Sequence, residues 1–541
     1  MKYIMQNCVI EWSYVSEKIY SDPFNDIELS VVFTEPDKEE KVVPAFWSGE
    51  NTWRVRYASS KIGRHTFRTV CSDTSNFSLH NQKGELEVVP YEGDNPFFKH
   101  GPIKVSESKR YLEHIDGTPF FWLGDTWWMG LCKRLSWPSD FQILAADRVE
   151  KGFSVIQIVA GLYPDMPPFD PRGANEAGFP WKKDYPRINP SYFDMADLRI
   201  SWLVRSGLVP CIVGCWGYYL PWMGIEKMKK HWKYLVARYG AFPIVWCLAG
   251  EYDMPYYLSK EKEKEKKLQK DGWKELGKYL HQIDPYHHPI TIHPGTYARE
   301  NTDILTIIDF DMLQTGHSDN SLRNTVFRVQ QSYYGEPKMP VINGEVCYEG
   351  IGGQCKEQMQ RLMFWACVLN GACGYTYGAN GIWQVNRKNE PFGPSPHGMS
   401  WGNTPWEEAY KLPGSRQLGL SKKLLERYEW WKFEPHPEWI EVKVSEEDRK
   451  NYYYPYSAGI QKVVRIIYLP LFYSNFRVKE LEEGVSYEAF LFNPVDGSKL
   501  NIGLVVPDEN GEWQLPELVE GSGIRLPIYQ DWILVLEVKK G

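Results

Sequence analysis

Between residues 118 and 435 the chain alternates short, largely apolar runs with longer stretches of helical periodicity. The apolar runs fall at 120–123, 155–159, 209–213, 244–248, 290–292, 310–313, 341–342 and 374–377. A strand that is apolar on both faces belongs in a parallel sheet covered by helices, and its repetition with helical segments predicts βα units. Eight such units make a (β/α)8 TIM barrel, an α/β fold. The helical stretches carry their own signals. Asn189-Pro190 reads as an N-cap followed by proline at the first helical position, with Phe193, Ala196, Ile200 and Leu203 on one stripe.

The flanks have another period. Ile27, Leu29, Val31 and Phe33 share one face, and Glu28, Ser30 and Thr34 the other; Trp53, Val55, Tyr57 and then Leu86, Val88 repeat the pattern. This period of two predicts an N-terminal antiparallel β-sandwich over residues 1–95, ending in a linker at 91–96. The barrel then occupies 96–435. Alternation returns at 463–469, 487–492 and 532–538, with Asp496-Gly497 as a turn, and predicts a C-terminal small β-domain over 436–541. The lysine/glutamate run at 260–270 alternates in sign and reads as a solvated helix face rather than a binding feature.

With 43% hydrophobic and 24% charged residues, the 541-residue chain has the composition of a globular protein with more than one core. A formal charge of −7 leaves no basic footprint, so no nucleic-acid partner is expected. No run approaches the roughly 18 apolar residues of a membrane span, and the N-terminus lacks the pattern of a secretory signal; the expectation is a cytoplasmic protein without a membrane partner. Cys211, Cys215, Cys247, Cys347, Cys367 and Cys373 lie in apolar segments and read as buried thiols. The CxxxC spacing of Cys211 and Cys215 has no second pair or nearby histidine, so neither a metal nor any cofactor is expected. The 23 tryptophans and 34 tyrosines suit either sugar stacking or large cores. The flanking β-domains would bind glycan, brace the barrel or provide homo-oligomer contacts.

In such a barrel the active site lies at the C-terminal ends of the strands, so residues that close the apolar runs are the candidates. The fourth run leads to Glu251 and the seventh to Glu345, on strands that face each other across the mouth. Two convergent carboxylates are what retaining glycoside hydrolysis needs, one to attack the anomeric carbon and one to protonate the leaving oxygen. The other strand ends offer substrate-binding candidates: Asp125 and Trp128 after the first, Tyr163 and Asp165 after the second, Trp216 after the third, His293 after the fifth, Gln314 and His317 after the sixth, Tyr348 after the seventh and Trp383 towards the end of the eighth. Each has a structural alternative: helix capping for Asp125, a satisfied core position for the histidines, packing for the tryptophans, an ion pair for either glutamate. Glu349 reads as a partner of Glu345 or a loop charge. The loops at 162–188 and 379–403 are too long to be plain connections. Tyr163, Asp165, Trp181 and Asp184 in the first and Trp383, His397 and Trp401 in the second would shape a pocket for a short saccharide end; the first loop would alternatively clamp the N-terminal sandwich.

Four segments, Phe120-Phe-Trp-Leu-Gly-Asp-Thr-Trp-Trp128, Trp246-Cys-Leu-Ala-Gly-Glu-Tyr-Asp253, Gln314-Thr-Gly-His317 and Pro340-Val-Ile-Asn-Gly-Glu-Val-Cys-Tyr-Glu349, resemble the apiosidase-like barrel family of glycoside hydrolases. The resemblance extends to a DUF5060-like β-sandwich at the N-terminus and, through Phe492-Asn-Pro-Val-Asp-Gly497 and Asp531-Trp-Ile-Leu-Val-Leu536, to a small C-terminal β-domain. It implies that Glu251 is the acid/base and Glu345 the nucleophile of a retaining enzyme, with an oligosaccharide or glycoside of plant cell-wall origin as substrate. Many related barrels place Asn directly before the strand-four acid, where it binds the sugar 2-hydroxyl; here Gly250 stands there. Alternatives are a carbohydrate-binding protein without catalysis, an endo-acting glycanase, and a metal-dependent hydrolase of amides or phosphates, which the lack of a clustered ligand set disfavours.

Overall fold

A computed structural model describes residues 2–295, 297–470 and 475–539. Eight parallel strands form the central sheet: β1 Trp122–Thr126, β2 Val155–Val159, β3 Val209–Val213, β4 Val245–Cys247, β5 Ile290–Thr291, β6 Asp311–Gln314, β7 Val341–Glu345 and β8 Gly374–Tyr377. Ladder pairing runs β5-β4-β3-β2-β1-β8-β7-β6. The seam between β5 and β6 is held by Asp309 N–H donating to the Ile290 carbonyl (2.8 Å) and Thr291 Oγ1 donating to that of Phe310 (2.9 Å). The result is a nearly closed (β/α)8 barrel. Its strands are short and buried on both faces.

Helices follow seven of the strands: Ser139–Glu150, Pro190–Arg205, Ile225–Tyr239, Lys262–Ile283, Leu322–Tyr333, Glu357–Val368 and Pro413–Leu425. After β5 two 3₁₀ turns, Ala298–Glu300 and Ile304–Thr306, stand in place of a helix. Pro190 does begin its helix, but the Asn189 side chain does not cap it. Its amide instead donates to the carbonyls of Ala177 and Phe179, tying down the loop before the helix. The lysine/glutamate run forms the exposed first turns of Lys262–Ile283, whose buried stripe includes Trp273, Leu276 and Leu280.

The N-terminal unit is a sandwich of a five-stranded and a three-stranded sheet. Val31, Phe33, Val55, Tyr57, Leu86 and Val88 fill its core, as the period of two requires. One pairing departs from the antiparallel expectation: Lys2–Met5 lies parallel to Lys83–Val89. The chain leaves Lys2–Met5 for the other sheet, where Ile10–Val15 pairs with Thr52–Tyr57. No hairpin dictates the direction of that edge strand. The sandwich is bolted to the barrel by charge. Arg56 reaches across to Asp197 and to the Arg238 carbonyl (2.6 Å), and Arg238 Nε donates to Asp197 at 3.0 Å.

At the C-terminal end a six-stranded antiparallel sheet uses the two faces of its strands differently. Ile466, Tyr468, Ile533 and Val535 join the barrel's core, while Ile467, Leu469, Leu534 and Leu536 form a separate core beneath the outer layer. Arg361 on the helix Glu357–Val368 completes the junction through buried contacts of 2.8 and 2.5 Å to Asp531. Among the described residues no helix is long and apolar enough to cross a membrane.

Candidate active site

The C-terminal mouth of the barrel opens into a cavity of about 580 Å³ lined by Glu251 and Glu345. Glu345 is the last residue of β7, and 4% of its surface is exposed. Glu251 lies four residues past β4, but its neighbours are still laddered. Gly250 N–H donates to the Cys215 carbonyl, Gly217 N–H to that of Gly250 and Tyr252 N–H to that of His293. Glu251 itself has φ of 41°, a left-handed backbone that a carboxylate residue seldom adopts. The fixed ladder on either side holds that turn in place.

Gln314 joins the two carboxylates. Its Nε2 donates to Glu251 Oε1 at 3.1 Å and to Glu345 Oε1 at 3.2 Å. These two oxygens are therefore no more than roughly 6.3 Å apart. The register of β6 against β7 shifts between Leu313 and Gln314, and such a bulge re-aims a side chain at a strand end.

The two carboxylates have opposite surroundings. Around Glu345, burial favours the neutral acid, but His293 Nε2 at 2.9 Å and His317 Nε2 at 3.0 Å outweigh it and hold the group well below the usual carboxylate range. The Glu251 backbone N–H approaches His293 Nδ1 at 3.4 Å, which orients the ring so that Nε2 faces Glu345. Facing Glu345, the His317 imidazole is raised despite its burial. Glu251 is pushed up to about 7, first by desolvation and then by the charge of Glu345, with Gln314 pulling in the other direction. Trp216 Nε1 donates to its second oxygen at 3.1 Å.

Trp216 also accounts for Gly250. A Cβ at position 250 would overlap the Trp216 ring at Cε3 and Cζ3, so the ring fills the room that a side chain before Glu251 would need. Aromatic rings continue around the mouth. Trp128 meets Trp216 edge-on at 5.5 Å and donates its N–H to the Tyr348 hydroxyl at 3.0 Å. His317, Tyr348 and Trp383 stack in sequence, with centroids 5.1 and 6.0 Å apart.

Of the binding candidates, Trp128, Asp165, Trp216, Gln314, His317, Tyr348 and Trp383 line the cavity, and His293 lies directly behind Glu345. Asp125 and Tyr163 do not. Asp125 is fully buried and accepts from Arg148 Nε (2.6 Å), Trp127 Nε1 (2.7 Å) and the Thr126 N–H; strand alternation turns it towards the helix layer. The Tyr163 hydroxyl is bonded to that of Tyr192 at 2.8 Å inside the core. Glu349 is a brace, accepting from Tyr377 Oη (2.5 Å) and from the Gly414 N–H in the first turn of Pro413–Leu425.

Both long loops contribute walls, Pro164 and Asp165 from the first and Trp383, His397 and Trp401 from the second. The first is a clamp as well, because Trp181 packs on Phe24 of the sandwich at 5.7 Å and Asn25 bonds the Pro186 carbonyl. Tyr257 and Met254 in the loop after Glu251 also line the cavity and escaped the strand-end criterion. Their position just past the fourth strand's carboxylate was the signal available. Among the described residues Glu35, Asp37 and Glu39 cluster closely enough to hold a metal, but the Lys61 ammonium sits among them at 2.9, 2.5 and 2.6 Å.

Comparisons with known proteins place this geometry in context. A family model described as "Apiosidase-like, catalytic domain" matches residues 106–432, and one described as "Domain of unknown function (DUF5060)" matches residues 5–72. A solved structure titled a glycoside hydrolase is 23% identical, with a TM-score of 0.66 over 82% of this chain and 98% of its own. A family 5 glycoside hydrolase from Bacteroides vulgatus is also 23% identical, with a TM-score of 0.66 over 82% of this chain and 95% of its own. A candidate glycoside hydrolase from the same species is 18% identical and covers 100% of both chains at a TM-score of 0.67. At these identities the likeness speaks for the fold. A search of curated proteins returns no match.

Proposed function

This chain belongs to the apiosidase-like catalytic-domain family of glycoside hydrolases, and from that membership we propose that it is a retaining enzyme that removes terminal sugars from short oligosaccharides of plant cell-wall origin. The observation that carries the reading is the shared Gln314 amide, which brings two oppositely tuned carboxylates within reach of one anomeric centre. Glu345, held ionised by its two histidines, is the nucleophile. Glu251, held near neutral pH, begins the cycle protonated.

In the first step a Glu345 oxygen forms a bond to the anomeric carbon while the glycosidic C–O bond breaks, and Glu251 gives its proton to the departing oxygen. The ionised Glu251 then takes a proton from water. That water's oxygen attacks the same carbon, and the bond to Glu345 breaks to regenerate the carboxylate. Gln314 and Trp216 keep Glu251 aligned in both protonation states by donating to its two oxygens. The walls from the two long loops favour action on chain ends, and the ten unpaired cysteines suit a reducing compartment such as the cytoplasm.

The test is hydrolysis of a panel of aryl pentosides and hexosides, with NMR of the first-formed anomer. Retention is expected, as is a loss of about 10²–10⁴-fold in kcat for Glu251→Gln on substrates with a poor leaving group. Inversion at the anomeric carbon would sink the double displacement. Sugar binding by a wild-type protein that cleaves no glycoside would favour the carbohydrate-binding alternative.

A further inference from the structure

The cavity holds a third carboxylate that the double displacement does not use. Asp165 lies in the loop after β2 with φ of 55°, in the left-handed region, and only 6% of its surface is exposed. Its Oδ1 is buried without a hydrogen-bond partner in the protein, although the residue lines the same cavity as Glu251 and Glu345. Buried acceptors are almost always satisfied, and one left open where a ligand would sit has a desolvation penalty that the ligand's donors can remove.

Its neighbours come from two other loops. The Tyr257 hydroxyl, from the loop after Glu251, interacts with the Asp165 carboxylate and favours its charged form, although burial as the larger effect raises the group. His397, from the loop after β8, stacks on Tyr257 with centroids 4.7 Å apart and planes 20° from parallel. Three loops far apart in sequence therefore converge on one acceptor. Asp165 is also close enough to the catalytic pair to feel Glu345 and to raise Glu251.

The charges around it narrow the ligand. Three carboxylates line the cavity, and His317 is already engaged by one of them. Among the described lining residues the one arginine is Arg328, and there is no lysine. The Arg328 guanidinium is paired with Glu300 at 3.1 Å and lies over Tyr297 at 4.6 Å. A sugar carboxylate would thus meet the ionised Glu345 and the Asp165 carboxyl, with the His397 imidazole stacked on Tyr257 and no free guanidinium or ammonium.

We propose that Asp165, braced by Tyr257 and His397, is the specificity-determining residue of this cavity: it accepts hydrogen bonds from the hydroxyls of the bound sugar ring and restricts the site to uncharged sugars. The substrate class rests on the glycosidase reading above. The recognition itself is a matter of binding and can be measured without turnover.

The experiment uses the full chain carrying Glu345→Gln, alone and combined with Asp165→Ala or Asp165→Asn. Methyl glycosides of neutral pentoses and hexoses, their monodeoxy analogues and the matching uronates and amino sugars are titrated by calorimetry. The best neutral glycoside should lose about 10- to 100-fold in affinity with Asp165→Ala and less with Asp165→Asn, which keeps an acceptor and tolerates a positive φ. One monodeoxy analogue should bind weakly to the parent and be insensitive to Asp165→Ala, a cancellation that general loosening of the site would not produce. Uronates should bind at least about 10-fold more weakly than their neutral counterparts. Equal affinity with and without the Asp165 carboxylate, a preference for uronates or amino sugars, or binding of none of the sugars would overturn the proposal. Circular dichroism establishes whether Asp165→Ala is folded, and Asp165→Asn carries the test if it is not. If the wild-type chain cleaves nothing while the deoxy cycle behaves as described, the glycosidase reading falls and this one stands.

Discussion

Replacing Gln314 by Met removes the one amide that touches both carboxylates while keeping a side chain of similar length. Gln314 Nε2 lies 3.1 Å from Glu251 Oε1 and stabilises the ionised form of a group poised at about 7. A hydrogen bond to a charged group is worth about 1.5–3 kcal/mol. The lower end applies here, because the donor is shared and cavity water can take part of its place. At about 1.4 kcal/mol per unit, the Glu251 carboxyl should rise by about one unit, to roughly 8. Glu345 loses the same donor but keeps both histidines, and so stays ionised across the assay range. The acid must be protonated for the first step, so the alkaline limb of kcat/KM against pH reports Glu251. That limb should move up by about one unit while no acid limb enters the assay range, with a roughly tenfold drop in the plateau from lost alignment. The assay is initial rates from pH 4 to 10 on the best aryl glycoside. An alkaline limb that stays put or moves down would refute the assignment of Glu251 as the acid whose proton Gln314 opposes.

Gly250→Ala should displace the Trp216 ring and its bond to Glu251, costing about 1–3 kcal/mol in urea denaturation and at least about tenfold in kcat. In a chain already carrying Trp216→Ala, Gly250→Ala should cost little further stability, because the overlapping ring is gone. Asp531→Ala should leave Arg361 buried without its carboxylate and lower stability by about 3–5 kcal/mol, and converting Arg361 to Leu in the same chain should recover most of it. Asp125→Ala should cost about 3 kcal/mol through Arg148 and leave KM unchanged; a raised KM at unchanged stability would return Asp125 to the substrate.

The barrel was legible because its strands are apolar on both faces. Burial of β2 and β3 is uniform along their length, and at five residues each run is too short for a buried helix. The same rule made strand ends into site candidates, and Glu251 and Glu345 followed from it. It failed for Asp125, because a strand end offers two directions and the sequence does not say which one faces the mouth. Arg148, on the helix after β1, decided that by supplying a buried cation on the outer side. It failed for Tyr163 in the same way, the partner being Tyr192 on the next helix. The parallel edge strand Lys2–Met5 was hidden for another reason: period two reports which face is buried and carries no information on strand direction.

What the amino-acid sequence determined by itself is what local periodicity can carry: eight buried strands, two alternating β-domains, and carboxylates closing the fourth and seventh runs. Whether those carboxylates differ in protonation was left to tertiary structure. That difference comes from groups distant in sequence, since His293, Gln314, His317 and Trp216 each reach a glutamate from another strand. The same holds for Gly250, which in the sequence is a missing side chain and in the fold is the space taken by Trp216. Charge and volume at a barrel mouth are sums over eight strand ends. Only closing the barrel brings the contributions together.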